Sequence, residues 1–226
     1  MGIARTSGVN DPRQRRAQLA VLEVIGRSTA FRDSSVLKGA LQVEALTGQS
    51  RSTRDVDLAF TSLPYSLDES GRLQLQQHLE KALRFGLPSA APAGEWSLYA
   101  VSVKKAPPGK LPGRFGHDGF SAKVTVQRRG REQLVVPIDI TSGDLIGPTI
   151  GLTFDGERLL VASGADVTLI RAYSREEAIA EKLRAYLQKL PAHLGKIGRP
   201  GDQIPRYRDI ARLLHNGPTP AQRPDA

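Results

Sequence analysis

Asp55 and Asp57 stand two residues apart at the head of Asp55-Val56-Asp57-Leu58-Ala59-Phe60, a run in which polar and apolar side chains alternate. A period of two predicts a strand, because successive strand side chains point to opposite faces. Both carboxylates must then leave the same face. Two aligned acids at a strand end suit Mg²⁺, a hard cation that takes oxygen ligands and keeps several waters. Taken alone, the pair also fits an ordinary solvated strand.

The surroundings narrow the choice. Val36-Leu37 reads as a short strand, Lys38-Gly39-Ala40 as a tight turn, and Leu41, Val43, Ala45 and Leu46 as a helix that Gly48 ends. Glycine at such a turn lets backbone N–H groups approach a phosphate at the helix N-terminus, so Lys38, Gly39 and Ala40 are candidate nucleotide-binding residues. Downstream, Asp139 interrupts the apolar run Val135-Val136-Pro137-Ile138-Asp139-Ile140. An acid there is costly unless it is paired or ligates a metal. Asp144 is the alternative third acid. Three carboxylates on neighbouring strands beside a glycine turn form a layout suited to metal-assisted phosphoryl or nucleotidyl transfer.

The remaining pattern is α/β. Asp11-Pro12 predicts the start of a helix over 12–26, and a second helix spans 70–85 on Leu73, Leu75, Leu79, Ala82 and Leu83. Strands are expected at 96–103, 121–127, 133–140, 159–162 and 167–170. Ser174 and Glu177 form a capping box opening a helix to about residue 190, and Pro205 opens a last helix through His215. The expected organisation is a flexible lead over 1–11, an α/β domain over 12–170, a helical portion over 171–216 and a disordered tail over 217–226.

Charge points to the partner. Lys and Arg number 32 against 23 Asp and Glu, a formal net charge of +9, which favours a polyanion through counterion release. The basic loop and hairpin residues Lys104, Lys105, Lys110, Arg114, Arg128, Arg129 and Arg131 are the candidate nucleic-acid contacts. The alternative is a solvated basic rim. Cysteine is absent, which removes disulfides, thiolate nucleophiles and Cys-ligated zinc, and the expected location is cytoplasmic. No apolar run reaches the ~18–20 residues that span a bilayer, so no membrane association is expected.

Three segments together resemble a known family. Val36–Leu41 with Arg51-Ser52-Thr53-Arg54-Asp55-Val56-Asp57-Leu58 is similar to the opening motif of the AbiEii/AbiGii toxin nucleotidyltransferases, relatives of the MenT toxins of type IV toxin–antitoxin systems. Glu177-Ala178-Ile179-Ala180-Glu181-Lys182-Leu183 resembles the family's helical lysine motif, and Arg206-Tyr207-Arg208-Asp209-Ile210 its Arg-Asp motif. The resemblance implies a DNA-polymerase-β-like nucleotidyltransferase fold with a C-terminal helical portion. It implies that Asp55, Asp57 and Asp139 ligate Mg²⁺, that Lys182 binds the triphosphate of an incoming NTP, and that Asp209 completes the site. It also implies an RNA acceptor, above all the 3′ end of tRNA, and a partner antitoxin. The chain departs from the family at Ala40, where a second Gly or a Ser is usual; Ala40 has no hydroxyl to offer a phosphate.

Bland readings stand beside these. Lys182 lies on an amphipathic helix where a solvated face is the ordinary outcome, with Ile179, Leu183 and Leu187 marking the side that packs. Glu181 and Lys182 are about 100° apart on that helix and should not share a face. Asp209 between Arg206 and Arg208 could form a surface ion pair. Two rival functions remain at this stage: a small-molecule nucleotidyltransferase of the antibiotic-modifying type, and a non-catalytic RNA-binding module.

Overall fold

The computed structural model describes residues 11–49, 53–61, 65–91, 93–106, 119–128, 132–142, 146–156, 158–164, 167–194 and 213–214. Helix α1 (Pro12–Arg27) starts where Asp11 accepts a hydrogen bond from Arg13 N at 2.9 Å and Pro12 supplies a ready-made first helical residue. Strand β1 (Ser35–Lys38) leads without a break into α2 (Gly39–Thr47), which ends at Gly48 in the left-handed conformation. Strand β2 (Val56–Phe60) follows, and then α3 (Glu69–Gly86), capped by Asp68 accepting from Gly71 N at 2.9 Å. A long meander of β3 (Trp96–Ala106), β4 (Gly119–Arg128) and β5 (Glu132–Thr141) comes next. Strands β6 (Thr149–Phe154), β7 (Leu159–Val161) and β8 (Ile170–Tyr173) complete one mixed sheet of eight strands. Helix α4 (Arg175–Leu194) opens where Ser174 Oγ accepts from Glu177 N at 3.2 Å, the arrangement expected from the S-x-x-E pair.

The sheet runs β3-β4-β5-β2-β1-β8-β6-β7. Its neighbours are antiparallel except β2–β5 and β1–β8, which are parallel. One face carries the core. Leu37, Val56, Leu58, Phe60, Phe120, Val124, Val136 and Ile138 pack there against Ala17, Leu22 and Ile25 of α1 and Leu75, Leu79 and Leu83 of α3. Nearly every residue of α1 from Ala17 to Gly26 is buried, so this helix passes through the core instead of skirting it. A second, smaller cluster of Val43, Ala178 and Leu213 joins α2 to α4 and the chain beyond.

Several sequence expectations shift. Strand β6 was not expected, and residues 167–169 precede β8 instead of belonging to a strand. Strand β3 continues through Lys104 and Lys105 to Ala106, because its pairing with β4 extends to Ala106↔Gly119. Leu73 of α3 is 44% exposed and Leu183 of α4 equally so. The packed face of α4 is built on Ala178 with Ile179, one position away from where apolar spacing put it. The expected helix over 205–215 lies outside the described residues apart from 213 and 214, which are helical. No described helix is long and apolar enough to cross a membrane.

Candidate active site

Strand register assembles the site. Antiparallel β1 and β2 pair Lys38 with Asp57, and parallel β2 and β5 pair Asp57 with Asp139. Antiparallel β4 sets Ser121 beside Asp139, and β3 sets Lys104 beside Ser121. Residues in register on adjacent strands point to the same side of a sheet. Lys104, Ser121, Asp139, Asp57 and Lys38 therefore form one polar row across five strands, on the face opposite the core. Asp55 joins from just before β2.

One carboxylate oxygen each from Asp55, Asp57 and Asp139 lies within 4.8 Å of the others. Asp55 is held in place by two donors, Thr53 Oγ1 at 3.1 Å and Arg54 N at 3.2 Å. Burial, and next the Asp55 carboxylate, push Asp57 up to about 6, with Asp139 adding to the rise and the positive charges of Lys182 and Lys38 opposing it. Three acids in a partly dry corner with too little positive charge to balance them are a donor set for a divalent cation. Oxygens bound to one octahedral Mg²⁺ at ~2.1 Å lie about 3.0 Å apart when cis and about 4.2 Å when trans, so the cluster would close by up to about 2 Å to hold one.

Gly39 is essential to this packing. Its φ is +76°, and a Cβ there would sit 2.0 Å from Asp57 Oδ2. The glycine turn thus lets the first residue of α2 lie directly against an acid, which puts the electropositive helix N-terminus beside the cluster. Ala40, the next residue, is half-buried.

The two lysines sit differently. Lys38 is 6% exposed, and its Nζ lies 3.3 Å from Glu181 Oε1 of α4. Its charge is committed between Glu181 and Asp57, which makes it a poorer candidate for phosphate capture than its place at the turn suggested. Lys182, one residue after Glu181, also acts on Asp57. Although the two are about 100° apart on α4, Glu181 reaches Lys38 of β1 and Lys182 acts on Asp57 of β2. Glu181 carries no signal in sequence beyond its place next to Lys182; only the contact across the fold reveals it.

The basic candidates divide. Lys104 lies on the row just described. Lys105 pairs with Phe120, a core residue, and so points from the other face. Arg128 forms an ion pair with Glu95, which is 3% exposed, at the end of β4 seven residues from Ser121, or about 23 Å of strand. The structure does not bring Arg128 to the acids. Lys110, Arg114, Arg129, Arg131, Asp144 and Asp209 lie outside the described residues.

Comparison with known proteins bears on this geometry. No curated protein matches the chain. Residues 26–216 match the family model described as nucleotidyl transferase AbiEii toxin of type IV toxin–antitoxin systems. That match runs from the end of α1 past α4 and takes in the glycine turn, all three acids and both lysines, so the chain belongs to the AbiEii nucleotidyl transferase toxin family.

Proposed function

We propose that this nucleotidyltransferase moves a nucleoside monophosphate from an NTP to a hydroxyl at the 3′ end of an RNA, foremost tRNA, and releases pyrophosphate. The observation that carries the reading is the convergence of Asp55, Asp57 and Asp139 within 4.8 Å beside Lys182. It is supported by the glycine turn, whose backbone N–H groups open α2 next to the cluster. The architecture agrees with a DNA-polymerase-β-like fold in having a strand, glycine turn and helix followed by the strand of the paired acids.

Asp55, Asp57 and Asp139 would hold Mg²⁺, which when bound supplies charge neutralisation at the phosphates and a more acidic acceptor hydroxyl. The protein's own groups do the rest. Gly39 and Ala40 offer the α2 N-terminus to the triphosphate, and Lys182 adds a point charge there. Glu181 holds Lys38 and so anchors α4 beside β1. Asp139, the exposed member of the cluster, would meet the acceptor and take the proton of the attacking hydroxyl. Asp209 would complete the site from the helical portion over 171–216. NTP and tRNA as substrates place this work in the cytoplasm, and a cognate antitoxin would restrain it.

The test is to incubate the protein with Mg²⁺, total RNA and each NTP carrying label on either the α- or the γ-phosphate. Label entering RNA from the α position alone is the expected result. Label transferred from the γ position would identify a kinase, and label appearing only in small molecules would identify the antibiotic-modifying type.

A further inference from the structure

Among the described residues, strands β3, β4 and β5 have their core on one side only. Alternate residues Phe120, Ala122, Val124 and Val126 of β4 are buried, while Lys123 between them is exposed. Helices α1 and α3 pack on the buried side. The other side carries Ser102, Lys104, Ser121, Lys123 and Thr125, with Val135 and Pro137 of β5 in register beside Thr125 and Lys123, and it reaches Asp139. Lys104 and Lys123 are diagonal neighbours on this face, about 7–8 Å apart, and Lys123 stands in the same diagonal relation to Asp139. Among the described positions of these three strands that point this way, Asp139 is the one acid. The surface therefore sets hydroxyls and two lysines around a small apolar strip of Val135 and Pro137, and it leads straight into the three carboxylates. From Lys104 to Asp57 is three strand spacings, about 14 Å, which accommodates the last few nucleotides of a strand and no more.

We propose that this open face is the track on which a single-stranded RNA end approaches the acids, with Lys104 and Lys123 gripping its phosphates and Ser121 lying between Lys104 and Asp139. The assignment rests on the RNA-acceptor reading above and adds Lys123 to it, while removing Lys105, which belongs to the opposite face. Hydroxyls and lysines suit contact with the sugar-phosphate backbone, so the grip is indifferent to sequence.

The experiment measures binding without chemistry. A fluorescent single-stranded oligoribonucleotide of mixed sequence is titrated by anisotropy in EDTA without NTP, over a range of salt, with the full chain and with Lys104→Ser, Lys123→Ser, Lys123→Gln and Lys105→Ser. Removing a lysine that neutralises one phosphate of a single strand lowers the slope of log affinity against log salt by about 0.7. The expected result is that decrease for Lys104→Ser and for both Lys123 variants, with Lys105→Ser unchanged. An unaltered slope for Lys123 variants, an equal decrease for Lys105→Ser, or no binding by the parent protein would overturn the track. Because the assay needs no turnover, the two readings fail separately: slopes as expected in a protein that transfers nothing to RNA leave the track standing and remove the transfer, while transfer with unaltered slopes does the reverse.

Discussion

Replacing Asp57 by Asn should make the metal-free protein more stable while ending its activity. Asn keeps the shape of the side chain and mimics its protonated form. Burial and the neighbouring Asp55 raise Asp57 from 3.8 to about 6, which at about 1.4 kcal/mol per pKa unit means that ionising it in the folded state costs up to about 3 kcal/mol. The folded protein binds this proton more tightly than the unfolded chain does. Wild-type stability is therefore full below about pH 4, falls as pH climbs through about 6, and stays reduced above that. Asp57→Asn escapes the loss. In EDTA at pH 8 the variant should unfold up to about 6–12 °C above wild type, given ~2–4 °C per kcal/mol for a chain of this size. Near pH 4 the two should coincide. Divalent metal should narrow or reverse the order, since a hundredfold excess over Kd returns ~2.7 kcal/mol to wild type only. Thermal melts followed by circular dichroism at pH 4, 6 and 8, with and without Mg²⁺, read all of this. A variant less stable than wild type in EDTA at pH 8, or a difference that does not change with pH, would refute the crowding argument.

Gly39→Ala puts a Cβ against Asp57 Oδ2 and forces an L residue to a φ of +76°; it should cost at least ~1–2 kcal/mol in urea unfolding and disable transfer, and wild-type behaviour would show that the turn is not tight. Lys182→Ala should lose ~2–4 kcal/mol of transition-state stabilisation, about 30- to 900-fold in rate, whereas Lys81→Ala on the exposed side of α3 should lose nothing; equal small effects would return Lys182 to a solvated face. Glu181→Gln takes the negative charge from the group 3.3 Å from the buried Lys38 ammonium and should lower stability by ~1–3 kcal/mol in denaturant titration, an effect within about 0.5 kcal/mol counting against an anchoring role for the pair.

The local signals were legible in the sequence because they are local. Asp11-Pro12, Gly48 and the Ser174–Glu177 box act within a few residues, and each caps a helix where its chemistry places it. The alternation around Asp55 and Asp57, and the isolation of Asp139 among apolar neighbours, were equally readable. What brings these acids together is register: Asp57 opposite Asp139 is a pairing between strands about eighty residues apart, and no short-range pattern encodes it. The burial of Lys38 against Glu181 was hidden for the same reason. Apolar spacing misjudged Leu73, which lies off the buried stripe of Gly71, Leu75, Leu79 and Leu83 on α3, and Leu183, because α4 packs through Ala178 and Ile179. Strand β6 was missed because Gly147, Pro148 and Gly151 give its surroundings the look of a loop, while its pairing with β8 tolerates the glycine where Thr168 fills the space.

Asp139 gives the most direct test of the claim that these three carboxylates form the centre of nucleotidyl transfer. It is exposed, so Asp139→Asn leaves the fold intact, and it enters the cluster only through the pairing of β5 with β2. The measurement is the initial rate of α-phosphate label incorporation into RNA at saturating Mg²⁺, wild type against Asp139→Asn, with matched melting curves. A loss of at least about a hundredfold is the expected result; incorporation within about threefold of wild type would contradict the account.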